Sequence, residues 1–216
     1  MSDKYPRTPH LPWSPGITSD DRVIESLEML LNTPLIFTEK MDGSNVCLEH
    51  ENVFARSHNA SPRHESFHAL KALHAAIRQR IPSEWQVFGE WLWARHSIAY
   101  ERLPAYLLIF GIRDRAEHTW LSWDEQERWV TLNGLSLVPV LWRGICHTQE
   151  ELREQVQAHT NIPTCSQEQE GVVARVSATI ADEEFARSIA KWVRPHHVQT
   201  DNRWCEQKIT RNRLSL

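Results

Sequence analysis

Glycine is scarce in this chain, and its placement limits how the fold can bind a ligand. The sequence has only seven glycines, at positions 16, 43, 89, 111, 134, 144 and 171. Neither the GxxxxGK[ST] loop nor the GxGxxG turn can be assembled from these positions. Both of those loops hold phosphates on backbone N–H groups at the start of a helix. If the protein binds phosphates, its lysine and arginine side chains must therefore do so.

Length and composition indicate one globular domain with its own core. The chain has 216 residues, of which 41% are hydrophobic and 24% charged, and this excludes the disordered and collagen-like classes. No apolar stretch approaches the roughly 20 residues that span a bilayer, and the first residues, MSDKYPRTPH, lack an apolar signal core. We therefore expect a soluble, cytoplasmic protein without membrane contact. The four cysteines form no CxxC pair, so we expect reduced thiols.

Charge is distributed unevenly along the chain. The net charge of -4 argues against binding nucleic acid by charge alone. The segment 187–213 nevertheless carries seven lysines and arginines against two acids, and it includes Trp192 and Trp204. Two interpretations of this basic, aromatic tail stay open: a solvated end, or a surface that contacts the phosphates and bases of a strand.

Periodicity predicts strands and helices mixed within one domain. Residues 1–19, rich in Pro, Ser and Thr, are predicted to form an irregular N-terminal arm. Helices are predicted over 21–31, over 62–80, and after the capping boxes that begin at Ser122 and Thr148. Strands are predicted on both sides of a turn at 42–45, and over 85–93, 106–112, 171–176 and 189–193. The absence of a repeat or a clear linker favours a single α+β domain.

One local pattern points to zinc. His64-Glu65-Ser66-Phe67-His68 matches HExxH, which on a helix is typical of metalloproteases. The extended form of the motif needs a glycine where Lys71 stands here, within a run of good helix formers. In an unbroken helix His74 would lie about 240° around the axis from His68 and would face away from the metal. We therefore predict an ordinary amphipathic helix and keep the zinc protease as a weak alternative.

A second pattern lies in the turn Glu39-Lys40-Met41-Asp42-Gly43-Ser44-Asn45. Taken alone, a lysine at a strand end before Asp-Gly is typical of a structural hairpin. This segment, however, resembles motif I, KxDGxN, of the covalent nucleotidyltransferase superfamily of polynucleotide ligases and capping guanylyltransferases. Other motifs of that superfamily follow in the expected order: Ala55-Arg56-Ser57, Val87-Phe88-Gly89-Glu90, Leu108-Ile109-Phe110-Gly111-Ile112, Glu170-Gly171-Val172-Val173 and Ala190-Lys191-Trp192-Val193-Arg194.

Within the superfamily the chain most resembles the ATP-dependent RNA ligases around phage T4 RNA ligase 2, in which a glutamate precedes the motif I lysine as Glu39 does here. The resemblance implies an α+β nucleotidyltransferase domain with antiparallel sheets flanked by helices. It also implies a lysyl-AMP intermediate on Lys40, transfer of the AMP to an RNA 5′-phosphate, and joining to a 3′-hydroxyl. ATP and Mg²⁺ (or Mn²⁺) are the implied cofactors, and RNA ends are the implied partners.

The same resemblance gives each motif residue a role. Lys40 is the expected nucleophile, Lys191 contacts the α-phosphate, and Glu170 binds the metal. The residues expected around the nucleotide are Glu39 and Met41 through their backbone, Asn45, Arg56 and Glu90 near the ribose and the reacting end, and Phe110 stacked on adenine. The glycines inside these motifs are expected where the backbone approaches the nucleotide. Because an ordinary lysine has a pKa of about 10.4, neighbouring cations or a metal are expected to favour the neutral Lys40 amine.

Two departures from the RNA ligase pattern bear on these expectations. The branch ends its last motif with two lysines one residue apart, whereas here Arg194 is the only candidate for the second cation. The chain also ends about 20 residues after that motif, so we expect a catalytic domain over 20–216 without a separate C-terminal domain. A partner protein that supplies such a domain is one possibility. The open alternatives are a GTP-using capping guanylyltransferase, a DNA ligase, and a nucleotide- or RNA-binding subunit without sealing activity.

Overall fold

The structure is a computed structural model and describes residues 4–55, 62, 64–195, 197 and 209–215. Its strands are β1 (Pro34–Lys40), β2 (Ser44–Leu48), β3 (Val53–Ala55), β4 (Trp85–Trp91), β5 (Leu107–Asp114), β6 (Thr119–Trp120), β7 (Ser136–Leu137), β8 (Val140–Ile145), β9 (Gly171–Val176), β10 (Ile180–Ala181) and β11 (Ile189–Val193). Its α-helices are α1 (His68–Ile77), α2 (Trp123–Leu132), α3 (Gln149–Ala158) and the single turn α4 (Phe185–Ser188). Short 3₁₀ turns lie at Glu28–Leu30, Glu65–Phe67, Arg78–Arg80 and Asp182–Glu184. The predicted α+β class is confirmed.

The strands form two sheets. The first has the order β11-β9-β1-β8, and the second has the order β10-β6-β5-β4-β2-β3, with all of these neighbours antiparallel. Strand β7 is added to the second sheet in parallel with β5. Because β1 belongs to the first sheet and β2 to the second, the short turn between them joins the two sheets. A site built around this turn therefore receives side chains from both.

Strand β1 is central in the first sheet and carries Lys40 at its end. Its residues from Leu35 to Glu39 are buried, which explains the apolar start of the strand. Lys40 lies opposite Gly171 of β9, and Val193 of β11 lies opposite the same glycine. A side chain on Gly171 would overlap the carbonyl oxygen of Trp192, so this position accepts only glycine. The strand register thus brings the end of β1, the start of β9 and the end of β11 together.

Apolar side chains between the two sheets form the main core. Phe37 from the first sheet and Phe88 and Trp120 from the second are all buried there, and each such side chain contributes roughly 1.5–3 kcal/mol. Tyr5 of the N-terminal arm enters the same core. Its ring lies 4.9–5.3 Å, between centroids, from the rings of Phe88, Phe110, Trp120 and Phe185. The arm is therefore anchored by aromatic packing as well as by backbone pairing.

The backbone pairing of the arm extends the first sheet beyond β11. Lys191 N–H donates to the Pro9 carbonyl at 2.9 Å, and Leu11 N–H donates to the Lys191 carbonyl at 2.8 Å. Farther along, Gly16 N–H donates to the Val193 carbonyl at 3.0 Å, and Val193 N–H donates to Ser14 Oγ at 2.9 Å. The arm therefore covers the outer edge of β11 along the stretch that carries Lys191.

The prediction of a helix over 21–31 is wrong, because within this range only Glu28–Leu30 are helical, and they form a short 3₁₀ turn. The start of this segment pairs with the arm instead. His10 N–H donates to the Arg22 carbonyl at 2.7 Å, and Ile24 N–H donates to the His10 carbonyl at 2.9 Å. The backbone groups that a first helical turn would have used are thus committed to a distant segment, and tertiary pairing overrides the local periodicity.

The other predicted helices are confirmed, with shorter bounds for the first. Helix α2 begins with the full capping box between Ser122 and Glu125, and the Thr148 side chain caps α3. Helix α1 starts only at His68, and 3₁₀ turns on both sides fill much of the predicted range. In the described part of the chain, no helix has the length and apolar character needed to cross a bilayer. Cys146 and Cys165 are buried free thiols, Cys47 is buried as well, and Cys205 lies outside the described residues.

Candidate active site

The turn between β1 and β2 is held rigidly by hydrogen bonds. One carboxylate oxygen of Asp42, Oδ2, accepts from Ser97 N–H at 2.8 Å, from Ser97 Oγ at 2.6 Å and from Ile98 N–H at 2.9 Å. The N–H of Asp42 donates to the hydroxyl of Tyr100 at 2.7 Å. A Cβ on Gly43 would lie 2.7 Å from the Trp91 carbonyl oxygen. Protein atoms therefore account for the glycine of motif I, and the turn fixes the direction in which Lys40 and Asp42 point.

Lys40 lies among three carboxyl groups. Its Nζ is 2.6 Å from Glu170 Oε1, and its side chain keeps 27% of its surface exposed while that of Glu170 keeps 5%. Burial disfavours the charged amine, but Glu170, Glu90 and Asp42 together outweigh burial, so the pKa of Lys40 is raised. This direction is opposite to the expectation for a nucleophile. The chain alone holds Lys40 protonated, and the carboxylates around it are the cause.

Glu90 lies on β4, opposite Asn45 of β2, and faces the same turn. Its Oε1 accepts from Gly43 N–H at 3.0 Å. Burial raises the pKa of Glu90 to about 8, against the opposing effect of the Lys40 ammonium, and Glu170 and Asp42 add to the rise. The second sheet therefore brings two of the predicted nucleotide-binding residues, Asn45 and Glu90, to the end of β1.

Lys191 approaches the same site from β11. Its Nζ lies 3.7 Å from Asp21 Oδ1, and Asp21 Oδ1 lies 3.4 Å from Nε2 of the buried His10. Burial and then the charge of Lys40 lower the pKa of Lys191, although Asp21 and Glu170 oppose the shift. Burial and the charge of Lys191 lower the pKa of His10 to about 4, so this imidazole is neutral at pH 7. The ion-pair partner of Lys191 is thus Asp21, an acid that the sequence motifs did not identify.

Phe110 occupies a bulge in β5. The register of β4 against β5 shifts between Phe88 and Gly89, so that Gly111 and Ile109 are paired while Phe110 between them has no partner in the ladder. Bulges redirect side chains next to functional sites. The partly buried Phe110 ring makes a T-shaped contact with the Tyr5 ring, with 4.9 Å between centroids and an interplanar angle of 82°. The N-terminal arm thus packs against the residue that is predicted to stack on adenine.

Glu39 and Met41 flank Lys40 and are both buried. The Glu39 carboxylate accepts from Thr164 N–H at 3.0 Å, and its own N–H donates to the Pro139 carbonyl at 2.9 Å. The N–H and one carboxylate oxygen of Glu39, Oε2, are therefore engaged within the protein, and a contact of its N–H with a base would have to replace the bond to Pro139. Arg56 lies outside the described residues.

Arg194 and His197, which follow β11, have different partners. The Arg194 side chain pairs with Glu168 at 2.9 Å, while its N–H donates to the Glu170 carbonyl at 3.0 Å. The imidazole of His197, by contrast, lies inside the site, with Nε2 3.3 Å from Glu170 Oε1. The sequence motifs place none of His197, Asp21 and Tyr5 at the site, and the sequence points to Asp21 only as a cap of the helix predicted over 21–31. These residues lie outside the recognised motifs, and only the tertiary fold brings them to the site.

The site offers hard oxygen ligands for a divalent cation. Among the described residues, the group whose donor atoms all lie within 4.8 Å of one another consists of Asp42, Glu170 and His197. Carboxylate oxygens are the ligands that Mg²⁺ and Mn²⁺ prefer. The predicted metal residue, Glu170, is therefore one member of a buried donor set that fits such an ion.

The HExxH segment forms no comparable donor group. His64 caps a 3₁₀ turn with its Nδ1, which accepts from Ser66 N–H, and the α-helix begins only at His68. The buried His74 places Nε2 2.7 Å from the carbonyl oxygen of Glu49. The zinc-protease alternative therefore lacks a ligand cluster in the part of the chain that the structure describes.

Comparison with known proteins gives the site its context. An RNA ligase of Naegleria gruberi, solved with ATP and Mn, is 17% identical with a TM-score of 0.56, covering 86% of this chain and 55% of that one. An archaeal ATP-dependent RNA ligase is 16% identical with a TM-score of 0.57, covering 88% and 48%. These likenesses show the fold, and the chain spans about half the length of the solved structures it matches. No curated protein matches the sequence. The family profile described as RNA ligase matches residues 33–193, and the chain therefore belongs to the RNA ligase family.

Proposed function

We propose that this chain is the nucleotidyltransferase domain of an ATP-dependent RNA ligase and that Lys40 carries the AMP. The observation that supports this most directly is the constellation around Lys40: an amine at a rigid turn, three carboxyl groups beside it, and a second cation, Lys191, from β11 on the other side of β9. Membership of the RNA ligase family makes adenylylation the reaction that this constellation serves best.

In the first step the neutral amine of Lys40 attacks the α-phosphorus of ATP. A P–N bond forms, the bond from the α-phosphorus to the bridging oxygen of the β-phosphate breaks, and pyrophosphate leaves with that electron pair. The nitrogen becomes positively charged as the P–N bond forms, and it then releases one proton to solvent to give the neutral phosphoramidate. Lys191 is placed to offset the negative charge that develops on the phosphoryl oxygens, since preorganised cations stabilise such transition states.

The protonation of Lys40 is the main obstacle to this step. Three carboxyl groups raise its pKa, and a protonated amine has no free electron pair. A bound Mg²⁺ or Mn²⁺ would supply positive charge at Asp42 and Glu170 and so favour the neutral amine. The chain's own contribution is to hold both carboxylates buried and close to Nζ, so that a change in their net charge acts directly on the nucleophile.

The second sheet forms the side of the site where we place the nucleoside. Phe110 would stack on the adenine, and Asn45 and Glu90 would face the ribose and the reacting end. Arg56 and the backbone of Glu39 and Met41 complete the predicted set. The support for this placement is that Asn45 and Glu90 pair across β2 and β4 next to Lys40, and that Phe110 stands in the bulge on the adjoining strand.

We propose that the AMP then passes to an RNA 5′-phosphate and that an RNA 3′-hydroxyl displaces it to form the phosphodiester. The basic residues of the segment 187–213 are candidates for the strand contact. Part of this segment is structural: Asn212 Nδ2 donates to the Leu92 carbonyl at 2.8 Å, and Arg213 N–H donates to the Tyr100 carbonyl at 2.9 Å. Charge substitution at Arg203 and Lys208 is therefore a better test than truncation, and we expect a smaller salt dependence of RNA binding.

Covalent labelling with α-³²P-ATP and Mg²⁺ or Mn²⁺ tests the first step. We expect the wild-type chain and the variant Lys71→Ala, which removes a lysine from α1, to be labelled. Lys40→Ala should give no label. A wild-type chain that stays unlabelled would contradict the proposal. Labelling by α-³²P-GTP in its place would indicate a capping guanylyltransferase. Labelling without joining of nicked RNA would mean that sealing requires a partner that supplies further segments, and faster joining of nicked DNA would indicate a DNA ligase.

A further inference from the structure

His197 is a buried imidazole in the middle of the candidate active site. Its side chain is 3% exposed, and Nε2 lies 3.3 Å from Glu170 Oε1 and 3.8 Å from Asp42 Oδ1. It follows the end of β11 by a few residues and lies beyond residue 193, where the match to the RNA ligase family ends. Nothing in the family motifs therefore accounts for this side chain.

The two carboxylates that face His197 are positioned in advance. Asp42 Oδ2 already accepts three hydrogen bonds from Ser97 and Ile98, which leaves Oδ1 as the oxygen that points toward the imidazole. Glu170 presents Oε1 both to His197 Nε2 and to Lys40 Nζ. One oxygen from each acid and one nitrogen thus converge from three different segments of the chain, and all three atoms lie within 4.8 Å of one another.

The other ring nitrogen of His197 supports a specific role for Nε2. Nδ1 is buried and has no hydrogen-bond partner among the described residues, and an unsatisfied buried polar group costs about 1–3 kcal/mol. Within the described part of the chain, no hydrogen bond to Nδ1 accounts for the buried position of this ring. The feature that does account for it is the convergence of Nε2 with the two carboxylate oxygens.

We infer that His197 Nε2 is a direct ligand of the divalent cation, together with Asp42 Oδ1 and Glu170 Oε1. An imidazole nitrogen in a set of carboxylate oxygens favours Mn²⁺ over Mg²⁺, because Mg²⁺ prefers oxygen ligands and imidazole suits transition metals. A cation bound to Glu170 Oε1 would compete with Lys40 Nζ for that oxygen. The imidazole would therefore couple the choice of metal to the deprotonation of Lys40, and this coupling rests on the proposed function.

The test is Mn²⁺ binding to the full chain without nucleotide, followed by electron paramagnetic resonance. We expect His197→Ala to weaken Mn²⁺ binding by at least about tenfold and to weaken Mg²⁺ binding less. The matched control is His96→Ala, because the His96 ring lies close by, 3.3 Å from Ser44 Oγ, but outside the donor set. His96→Ala should bind Mn²⁺ as the wild type does. Equal losses in the two variants would overturn the inference.

A spectroscopic signature keeps the inference testable even if His197→Ala folds poorly. Electron spin echo envelope modulation of wild-type chain with Mn²⁺ should show coupling to an imidazole nitrogen, and labelling of histidine with ¹⁵N should change the coupling frequencies. Absence of nitrogen coupling in the wild type would overturn the assignment. The measurement needs no ATP and no RNA. Nitrogen coupling in a chain that ATP does not label would support the metal site and reject the proposed function. Labelling by ATP without nitrogen coupling would support the proposed function and reject the metal ligand.

Discussion

The two lysines of the candidate site lie in contrasting surroundings, although both come from strands of the same sheet. Lys40 meets three carboxyl groups, which raise its pKa. Lys191 is partly buried, and burial followed by the charge of Lys40 lowers its pKa, although Asp21 and Glu170 oppose the shift. The expected nucleophile is thus the amine whose pKa the chain raises, and the expected phosphate ligand is the amine whose pKa it lowers. The contrast indicates that the carboxyl cluster, which is close to Lys40, sets the direction in which the pKa of Lys40 is shifted.

The largest expected effect comes from replacing Lys40 with arginine, which keeps the positive charge but removes the amine. Lys40→Arg should abolish covalent labelling by ATP, because a guanidinium stays protonated and cannot act as the nucleophile. Lys191→Arg, in contrast, should retain measurable labelling, because a cation at the phosphate suffices there. Quantitative labelling of the two variants in parallel measures the difference. Similar losses would show that the two lysines do not have separate roles.

Removal of the Lys191 charge should have the next largest effect. Lys191→Ala is expected to slow the formation of the covalent adenylate by roughly 100- to 1,000-fold, the range found when one group that stabilises transition-state charge is lost. Single-turnover labelling at saturating ATP isolates this chemical step from binding. A slower step in Lys191→Ala that Lys191→Arg does not share would confirm an electrostatic role. A change confined to the ATP concentration needed for half-maximal labelling would point to binding alone.

The raised pKa of Glu90 can be tested through the pH dependence of the free energy of unfolding. Its pKa is raised to about 8 in the folded chain, so its contribution to stability is fully present below about pH 4.5 and is lost as the pH rises through about 8. Glu90→Gln should therefore gain stability relative to the wild type between pH 6 and pH 9. We expect a gain of about 1–2 kcal/mol, which allows for solvent screening of a partly exposed residue. Urea unfolding of both proteins at each pH gives the difference, and parallel curves would contradict the shift.

The smallest effect is expected at the acid beside Lys191. Asp21→Asn keeps an acceptor for the Thr18 hydroxyl, which donates to Asp21 Oδ2 at 2.8 Å, but removes the charge that faces Lys191 Nζ. Because partly exposed ion pairs contribute about 0.2–1 kcal/mol, the rate of labelling should change by no more than about fivefold. The neighbouring, exposed Asp20 supplies the control variant, Asp20→Asn, which should label at the wild-type rate.

Much of the fold and the centre of the site could be predicted from the sequence, because the relevant signals are local. The bounds of β9 and β11 match the predicted strands, and the capping boxes marked the starts of α2 and α3. The motif order led to Lys40, Glu90 and Glu170, which the strand register then brings together. The branch within the family, the domain boundaries and the individual roles of the site residues stay predictions.

The failures share a physical cause, which is dependence on distant segments. The segment around Val23 has helical periodicity, but its backbone pairs with His10. Asp21 and His197 look like ordinary surface residues until the arm and the end of β11 are placed. The raised pKa of Lys40 likewise depends on acids from three separate parts of the chain. No window of sequence contains these contacts together.

The pairing of the N-terminal arm with β11 has a consequence for the order of folding. Residues from Pro9 to Gly16 pair with Lys191 and Val193, and the bonded residues Ser14 and Val193 are 179 positions apart in the sequence. Contacts so far apart in sequence form slowly, because the entropy of closing the loop must be overcome first. A nascent chain therefore cannot complete the environment of Lys191 until the segment up to Val193 has emerged from the ribosome. The pairing of the arm with β11 is thus expected to be a late event in folding.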